Sequence, residues 1–402
     1  MRVLILNQFY VPDISPTAHL AASLAEDRAA RGDQVTVMTS HGGYVAPHEP
    51  VVLGTKPNPN VIRLWTPEFG KSSHLRRLVD YASYYSLALL RTATMPKQDV
   101  IISLTTPPFI ALAGVLHKAA HPDTRLILWN MDCYPDVVER TKMLSRGGFI
   151  SALLRRINRM IFERIDHLVG LDTAMVELLR SQYGSRTLPA TIIPNWENAA
   201  LFSEENRSKS NACKIAHAGT KFTILYLGNI GYGHSFETVL DAAELLRNES
   251  VQFAFYGGGA RAYALEKSRL ARGLDNVVMH SYVKKEYTPA LMASADCALI
   301  TLRDDALGVM SPSKMHSNLA MRLPIIYVGP ETSNVDDAIK RFACGVSLRH
   351  GQSEELAAFV RTMIADKNAL EAMRSRARHA FDEAYCDAKT LPLFDAVIKD
   401  RA

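Results

Sequence analysis

With 402 residues, 48% of them hydrophobic and 22% charged, the chain is long enough for two domains of about 200 residues each and is not composed like a disordered segment. Its formal net charge of +5 is mild, so where the charges fall matters more than their sum. Five cysteines (Cys133, Cys213, Cys297, Cys344, Cys386), an odd and scattered set with no C-x-x-C pair, argue against a disulfide framework and a zinc site and suit a reducing compartment.

Residues 3–6 form a short apolar run that reads as a first strand, since it is too short for a signal-peptide core. Residues 18–30 have helical spacing and end at Arg31-Gly32. Strands are then expected at 34–38, 61–65, 99–103, 126–129, 167–170 and 191–193, with helical patterns between most of them. Such alternation predicts a parallel sheet covered on both faces, with ligands at the carboxyl ends of its strands. The loops at 7–17, 103–108, 130–136 and 194–198 therefore become candidates. No stretch reaches the roughly 18 apolar residues of a membrane span, and 100–116 is broken by Thr105-Thr106-Pro107-Pro108.

Pro194-Asn195-Trp196-Glu197-Asn198 reads as a turn, and a polar stretch over 203–219 follows it. Domains are accordingly expected at 1–198 and 199–384, with a last helix at about 385–402 packing back on the first. In the second half, strands are expected at 222–227, 252–256, 277–279, 297–300 and 325–328. Helices are expected at 236–246, 260–271, 354–366 and 369–384. The fold class is α/β, two doubly wound Rossmann-like domains facing across a cleft.

Between 222–227 and the next helix lies Gly228-Asn229-Ile230-Gly231-Tyr232-Gly233-His234. Glycines in a strand-to-helix loop let backbone amides approach a phosphate closely, and His234 could donate to one. The G-x-x-G-x-G spacing differs from the G-x-G-x-x-G of dinucleotide enzymes and disfavours NAD. Gly257-Gly258-Gly259 repeats the device after the next strand. Around residue 314, Ser311 is expected to cap a helix with Pro312 in its first turn, and Lys314 adds a full positive charge to that helix end. There is no Asp-x-Asp pair, so no divalent metal is expected, and Asp304-Asp305 and Asp336-Asp337 read as solvated loops. Charge on a leaving diphosphate would then be met by amides, helix ends, Lys and His.

Asn130-Met131-Asp132-Cys133-Tyr134-Pro135-Asp136 follows an apolar strand, where a carboxylate could orient or deprotonate a hydroxyl. Two stretches pair basic with apolar residues. One carries Arg76, Arg77 and Arg91 with Tyr84 and Tyr85. The other carries Lys142, Arg146, Arg155, Arg156 and Arg159 beside Phe149, Ile150 and Leu153. Basic amphipathic helices of this kind suit an anionic membrane surface. No helix-turn-helix, zinc-finger or aromatic RNA-binding signature appears, so nucleic acid is not an expected partner.

These motifs, in this order, resemble a glycosyltransferase of family 4 with the GT-B fold, of the bacterial surface-polysaccharide type. The matching pieces are Asn7-Gln8-Phe9-Tyr10-Val11-Pro12-Asp13, Thr106-Pro107-Pro108, Asp132 to Asp136, Ile193-Pro194-Asn195-Trp196, Tyr226-Leu227-Gly228-Asn229-Ile230-Gly231, Tyr256-Gly257-Gly258-Gly259 and Pro312-Ser313-Lys314 through Leu319-Ala320 to Pro324. The resemblance implies a retaining, metal-independent transfer, without a cofactor, from a UDP- or GDP-sugar to a lipid-linked (polyprenyl-diphosphate) saccharide. It implies work in the cytoplasm, on the inner face of the bacterial cell membrane. It places Gly228, Gly231, His234, Ser313 and Lys314 near the diphosphate, Gly257, Tyr282 and Val283 near the base, and the 15–17 loop, with Ser15 and Thr17, over the phosphates. Asp132 would position the acceptor and Lys314 would steady the departing charge. The family's usual pair of glutamates falls at Val309 and Ser317, which leaves Ser317 a weaker contact to the donor ribose. A UDP-sugar epimerase and a non-catalytic scaffold of the same fold are the alternatives.

Overall fold

A computed structural model describes residues 1–13, 15–41, 59–67, 74–184, 187–203, 221–284 and 287–400, with the side chains of 74–78 outside that set. Most of the polar 203–219 stretch lies outside the described residues, as do the side chains of Arg76 and Arg77. The chain divides into two units, Met1–Ile193 with Leu391–Ala402, and Pro194–Thr390.

The first unit holds one parallel sheet. Among the described residues it has seven strands: β1 (Arg2–Leu6), β2 (Gln34–Ser40), β3 (Asn60–Leu64), β4 (Val100–Ser103), β5 (Arg125–Trp129), β6 (His167–Gly170) and β7 (Ala190–Ile192). They lie in the order β3-β2-β1-β4-β5-β6-β7. The strand order reverses between β1 and β4, which is where a doubly wound sheet leaves a crevice at its carboxyl edge. The core strands are short apolar runs buried on both faces, as a sheet covered by helices requires. Helix Asp387–Lys399 closes this unit: Phe394 packs edge-on to Trp129 at 4.6 Å, and Asp395 pairs with the buried Arg28.

The second unit repeats the plan. Its described strands are β8 (Phe222–Leu227), β9 (Val251–Tyr256), β10 (Val277–His280), β11 (Cys297–Thr301), β12 (Ile325–Val328) and β13 (Gly345–Leu348), ordered β10-β9-β8-β11-β12-β13. Here the reversal falls between β8 and β11. The core is carried by Tyr226, Phe236, Phe253, Phe255 and the aliphatic residues of β11 and β12. Both halves are doubly wound, as the alternation predicted.

The units part at 193/194 rather than 198/199, and the chain returns to the first unit at 391 rather than about 385. The two crossings are stitched together inside the second unit: Glu197 donates to the Tyr385 carbonyl (3.1 Å) and accepts from the Asp387 amide (3.1 Å).

One expected loop is a helix. Asp336 sits in Asn334–Phe342 with its side chain fully buried, bound by Arg349 (2.7 Å), Lys340 (2.8 Å), the Thr332 amide (3.0 Å) and Ser347. Burial alone would raise its carboxyl, but those donors hold it at about 2. The network fixes the loops that leave β12 and β13. Side-chain caps hold the starts of Pro16–Ala30, Thr173–Gln182 and Lys367–Ala380. Asp366 takes the amides of Asn368 and Ala369, both at 2.9 Å, at the start of Lys367–Ala380. Asp366→Ala is expected to cost about 1 kcal/mol in urea unfolding, the usual value of such a cap.

Candidate functional site

In the second unit the two glycine turns are laced together by backbone bonds. Gly228 donates to the Tyr256 carbonyl and Ile230 to the Gly258 carbonyl, both at 2.8 Å, and Arg261 donates to the Ile230 carbonyl at 3.0 Å. Gly257 (φ +150°) has no room for a side chain, since a Cβ would lie 2.0 Å from the Gly228 carbonyl oxygen. Gly228 is needed for its backbone, since φ +120° is a conformation that L side chains rarely adopt, and the position lies against the Lys314 side chain. The lacing consumes the Gly228 and Ile230 amides. Among the described residues, the amides of Gly231, Tyr232 and Gly233 keep no protein acceptor.

Lys314 is brought against this turn from 88 residues away. Its Nζ donates to Tyr226 Oη at 2.5 Å, lies 3.4 Å from the Asn229 carbonyl and stands 3.9 Å from the centre of the Tyr226 ring. No carboxylate pairs with it among the described residues, and burial lowers its ammonium to about 7. Arg261 donates to the His234 carbonyl at 2.7 Å, so the turn carries two basic groups, neither of them paired with a carboxylate among the described residues. An anion would satisfy that imbalance.

Several expected roles change. His234 Nδ1 donates to the Thr301 carbonyl at 2.7 Å, and burial together with the Lys314 charge pushes its pKa down to about 3. The neutral ring has spent its proton on Thr301 and leaves only a lone pair at Nε2, so it does not donate to a phosphate. The helix near 314 runs Lys314–Ala320, with Ser313, not Ser311, at its start and no side-chain cap. The Pro312 carbonyl accepts from the Asn334 side chain at 3.4 Å. A helix this short adds little dipole, and the charge for an anion resides in Lys314 itself. Ser317 Oγ donates to the Lys314 carbonyl at 3.3 Å, and Val309 is buried. Tyr282 is exposed, with its Oη on the Gly258 carbonyl at 2.9 Å and its ring over Gly258; Val283 packs into the adjoining core.

The first unit has its own site at the carboxyl ends of β4 and β5. A small, partly open pocket is lined by the apolar Leu104, Phe109 and Ile161 and by the polar Thr105, Asn130, Asp132, Tyr134 and Asn158. Thr105 Oγ1 accepts from the amides of Met131 (3.1 Å) and Asp132 (3.2 Å), which orients the loop. The Asp132 carboxylate has no hydrogen-bond or ionic partner among the described residues, and burial raises its pKa to about 6. Phe109 lines the same pocket at φ +65°, a conformation that costs a bulky residue energy and that clusters at functional sites.

The remaining sequence candidates separate into structural and surface groups. Ser15 caps helix Pro16–Ala30 by accepting from the Ala18 amide at 3.1 Å, Pro16 is its first residue, and Thr17 lies within it. The expected loop over the phosphates is thus the first turn of a helix, a start that Ser-Pro itself signals. Tyr84 is fully buried with its hydroxyl on the Met38 carbonyl (2.9 Å), and Tyr85 is largely packed inside, so neither faces a membrane. Arg155 turns inward too, binding Asp136 (3.0 Å), Glu139 (3.0 Å), Gln182 (3.0 Å) and Tyr183 (3.2 Å). Arg156 and Arg159 stay exposed on helix Phe149–Phe162, together with Phe149 (84% exposed), Ile150 and Leu153. Among the described residues no helix is long and apolar enough to cross a membrane, and no cluster of His, Cys, Asp or Glu is placed to hold a metal ion.

Comparison with known proteins gives consistent matches. Residues 17–196 match the family model described as "Glycosyl transferase 4-like domain" and 208–380 match "Glycosyl transferases group 1". A putative colanic acid biosynthesis glycosyl transferase, WcaI of Escherichia coli (strain K12), is 26% identical over 337 residues, covering 80% of this chain and 81% of that protein. A probable glycosyltransferase, WbjE of Pseudomonas aeruginosa, is 25% identical over 276 residues, 67% of this chain and 68% of its own. Among solved structures, Anabaena Alr3699/HepE in complex with UDP superposes with a TM-score of 0.69 at 14% identity, over 99% of both chains.

Proposed function

Since the chain belongs to the family 4 glycosyltransferases, we propose that it transfers a sugar from a nucleotide donor to a lipid-linked saccharide with retention of anomeric configuration, in surface-polysaccharide assembly. The observation that carries the donor half is Lys314, a half-buried amine with no acidic partner among the described residues, held on Tyr226 against Gly228. A diphosphate supplies the missing negative charge, and the amides of Gly231 to Gly233 supply donors beside it. The UDP bound by the HepE neighbour favours UDP over GDP. As the bond from C1 to the diphosphate breaks, the acceptor oxygen bonds to C1 on the same face, and the hydroxyl proton leaves on the departing diphosphate. Asp132 accepts the hydrogen bond of the attacking hydroxyl and Lys314 balances the charge that develops on the leaving group.

Titration calorimetry with UDP and GDP tests this reading. Saturable binding of one of them is expected; heat from neither removes the donor site and leaves a scaffold.

The acceptor is lipid-linked in this proposal because helix Phe149–Phe162 exposes Phe149, Ile150 and Leu153 beside Arg146, Arg156 and Arg159. Such a face inserts shallowly into an anionic bilayer at the cytoplasmic surface. The double variant R156E/R159E is expected to lose co-sedimentation with phosphatidylglycerol vesicles by at least about fivefold, with each charge near the surface worth about 1 kcal/mol. Unchanged sedimentation, or binding of the parent that ignores salt, would remove the membrane claim.

A further inference from the structure

The amine of Lys314 rests on a side chain that is itself immobilised. Tyr226 stands in β8, two residues before Gly228, and is fully buried. Its ring meets Phe236 edge-on with ring centres 5.2 Å apart, His234 edge-on at 5.8 Å and Phe255 at 5.4 Å. Close packing of this kind holds the ring in one place. The Tyr226 hydroxyl donates to the Asn229 carbonyl at 2.7 Å, so its proton is committed there and a lone pair is left for Lys314 Nζ, 2.5 Å away. The same Nζ lies 3.4 Å from the Asn229 carbonyl and 3.9 Å from the centre of the Tyr226 ring. An ammonium has three N–H groups. With the Tyr226 hydroxyl and the Asn229 carbonyl each taking one, a single N–H remains for a ligand.

A carboxylate in place of that hydroxyl would hold the amine equally well, but it would spend the charge. The phenol does not, because burial pushes its pKa well above the usual tyrosine range and keeps it neutral. The other groups around the amine bring no negative charge either. His234 on the turn is neutral, and Arg261, bound to the His234 carbonyl, adds a second positive charge. We propose that Tyr226 is a positioning residue for the transfer: its hydroxyl fixes the Lys314 amine on the glycine turn and leaves one N–H, with the full charge, for the diphosphate. This role rests on the donor reading above, since it acts only through Lys314.

A double-mutant cycle on the full chain tests it, with Tyr226→Phe, Lys314→Met and the two combined, titrated with UDP and GDP at pH 7. Phe keeps the ring and its packing and removes only the hydroxyl. With the nucleotide that the parent prefers, Tyr226→Phe is expected to weaken binding about tenfold in the parent, as the loss of a hydrogen bond to a charged group does. In the Met background, where there is no amine to position, it should cost less than about twofold. Proton uptake gives a second readout that a purely structural role would not move. Losing the hydroxyl takes an acceptor from the ammonium and lowers its pKa further below about 7. Uptake on binding at pH 7, measured in Tris and in HEPES, should then rise from about one half in the parent toward one in the Phe variant. An equal cost of Tyr226→Phe in both backgrounds, or unchanged uptake, overturns the proposal. Nucleotide binding that is indifferent to Tyr226→Phe sinks this role alone, whereas a parent that binds neither UDP nor GDP sinks the donor site and the role with it.

Discussion

Lys314→Met is expected to lower kcat/KM by about 10²–10⁴ and to weaken nucleoside diphosphate binding, while making the protein more stable. The activity loss follows from removing a cation that lies against the glycine turn to meet a leaving diphosphate, a type of interaction worth several kcal/mol in a transition state. The stability gain follows from linkage. Burial lowers the amine from 10.5 to about 7, so the folded state bears a cost whenever the amine is charged. That cost is complete below pH 7, fades as pH rises toward 10.5, and is absent in Met, which fills similar space. Discounted for the amine's partial exposure, it amounts to about 1–3 kcal/mol in unfolding at pH 6. The same linkage fixes a signature in the parent. At pH 8 the free enzyme holds Lys314 largely neutral, and a bound diphosphate draws a proton back onto it. Calorimetry in Tris and in HEPES, whose ionisation enthalpies differ, should therefore report proton uptake near one at pH 8 and close to none at pH 6. His234 contributes nothing to this count, because its pKa of about 3 keeps it neutral throughout. Full activity in the Met variant, or identical heats in the two buffers, would remove Lys314 from the diphosphate.

How far the site could be read from the sequence depended on whether its logic was local. β6, β8 and β12 coincide with their expected spans because each is a continuous apolar run bounded by turn residues. The glycine turns were visible for the same reason, since a strand, a glycine loop and a helix are contiguous. The partner of Lys314 was not visible: Tyr226 lies 88 residues away, and only the closed fold brings the hydroxyl to the amine. Nor could the sequence show that Gly228 and Ile230 spend their amides on the neighbouring turn.

The misplaced basic and aromatic residues share one cause. Arg155, Arg156 and Arg159 occupy one helix with the same composition around them, and helical periodicity cannot tell an arginine that meets buried Asp136 and Glu139 from one in water. Tyr84 was grouped with a surface for the same reason. Asp336 was missed in the opposite direction, because an adjacent acidic pair looks solvated until Arg349, Lys340 and Ser347 converge on it. In each case the deciding contact joins residues that the chain alone does not pair.

Asp132→Asn should separate chemistry from stability in the other unit. Asn keeps an oxygen that can accept a hydrogen bond from the acceptor, so acceptor binding is expected to survive. It loses the negative charge that draws on the attacking hydroxyl, and transfer is expected to fall by about 10²–10⁴. Stability should move the other way, and only in part of the pH range. Burial raises the Asp132 carboxyl from 3.8 to about 6. Below pH 3.8 it is protonated in both the folded and the unfolded chain and costs nothing. Between 3.8 and 6 the unfolded chain ionises first, and the parent progressively loses stability. Above pH 6 the loss is complete, and the Asn variant, which never ionises, should be the more stable by about 1–3 kcal/mol. Urea unfolding at pH 4 and pH 8 reads this directly: the two proteins should nearly coincide at pH 4 and separate at pH 8. The parent's kcat/KM should correspondingly climb as pH rises through about 6, and that climb should be missing from whatever activity the variant keeps. A stability gap of the same size at both pH values would mean that Asp132 is not a buried, unpaired carboxylate, and undiminished transfer would mean that the hydroxyl is held by something else.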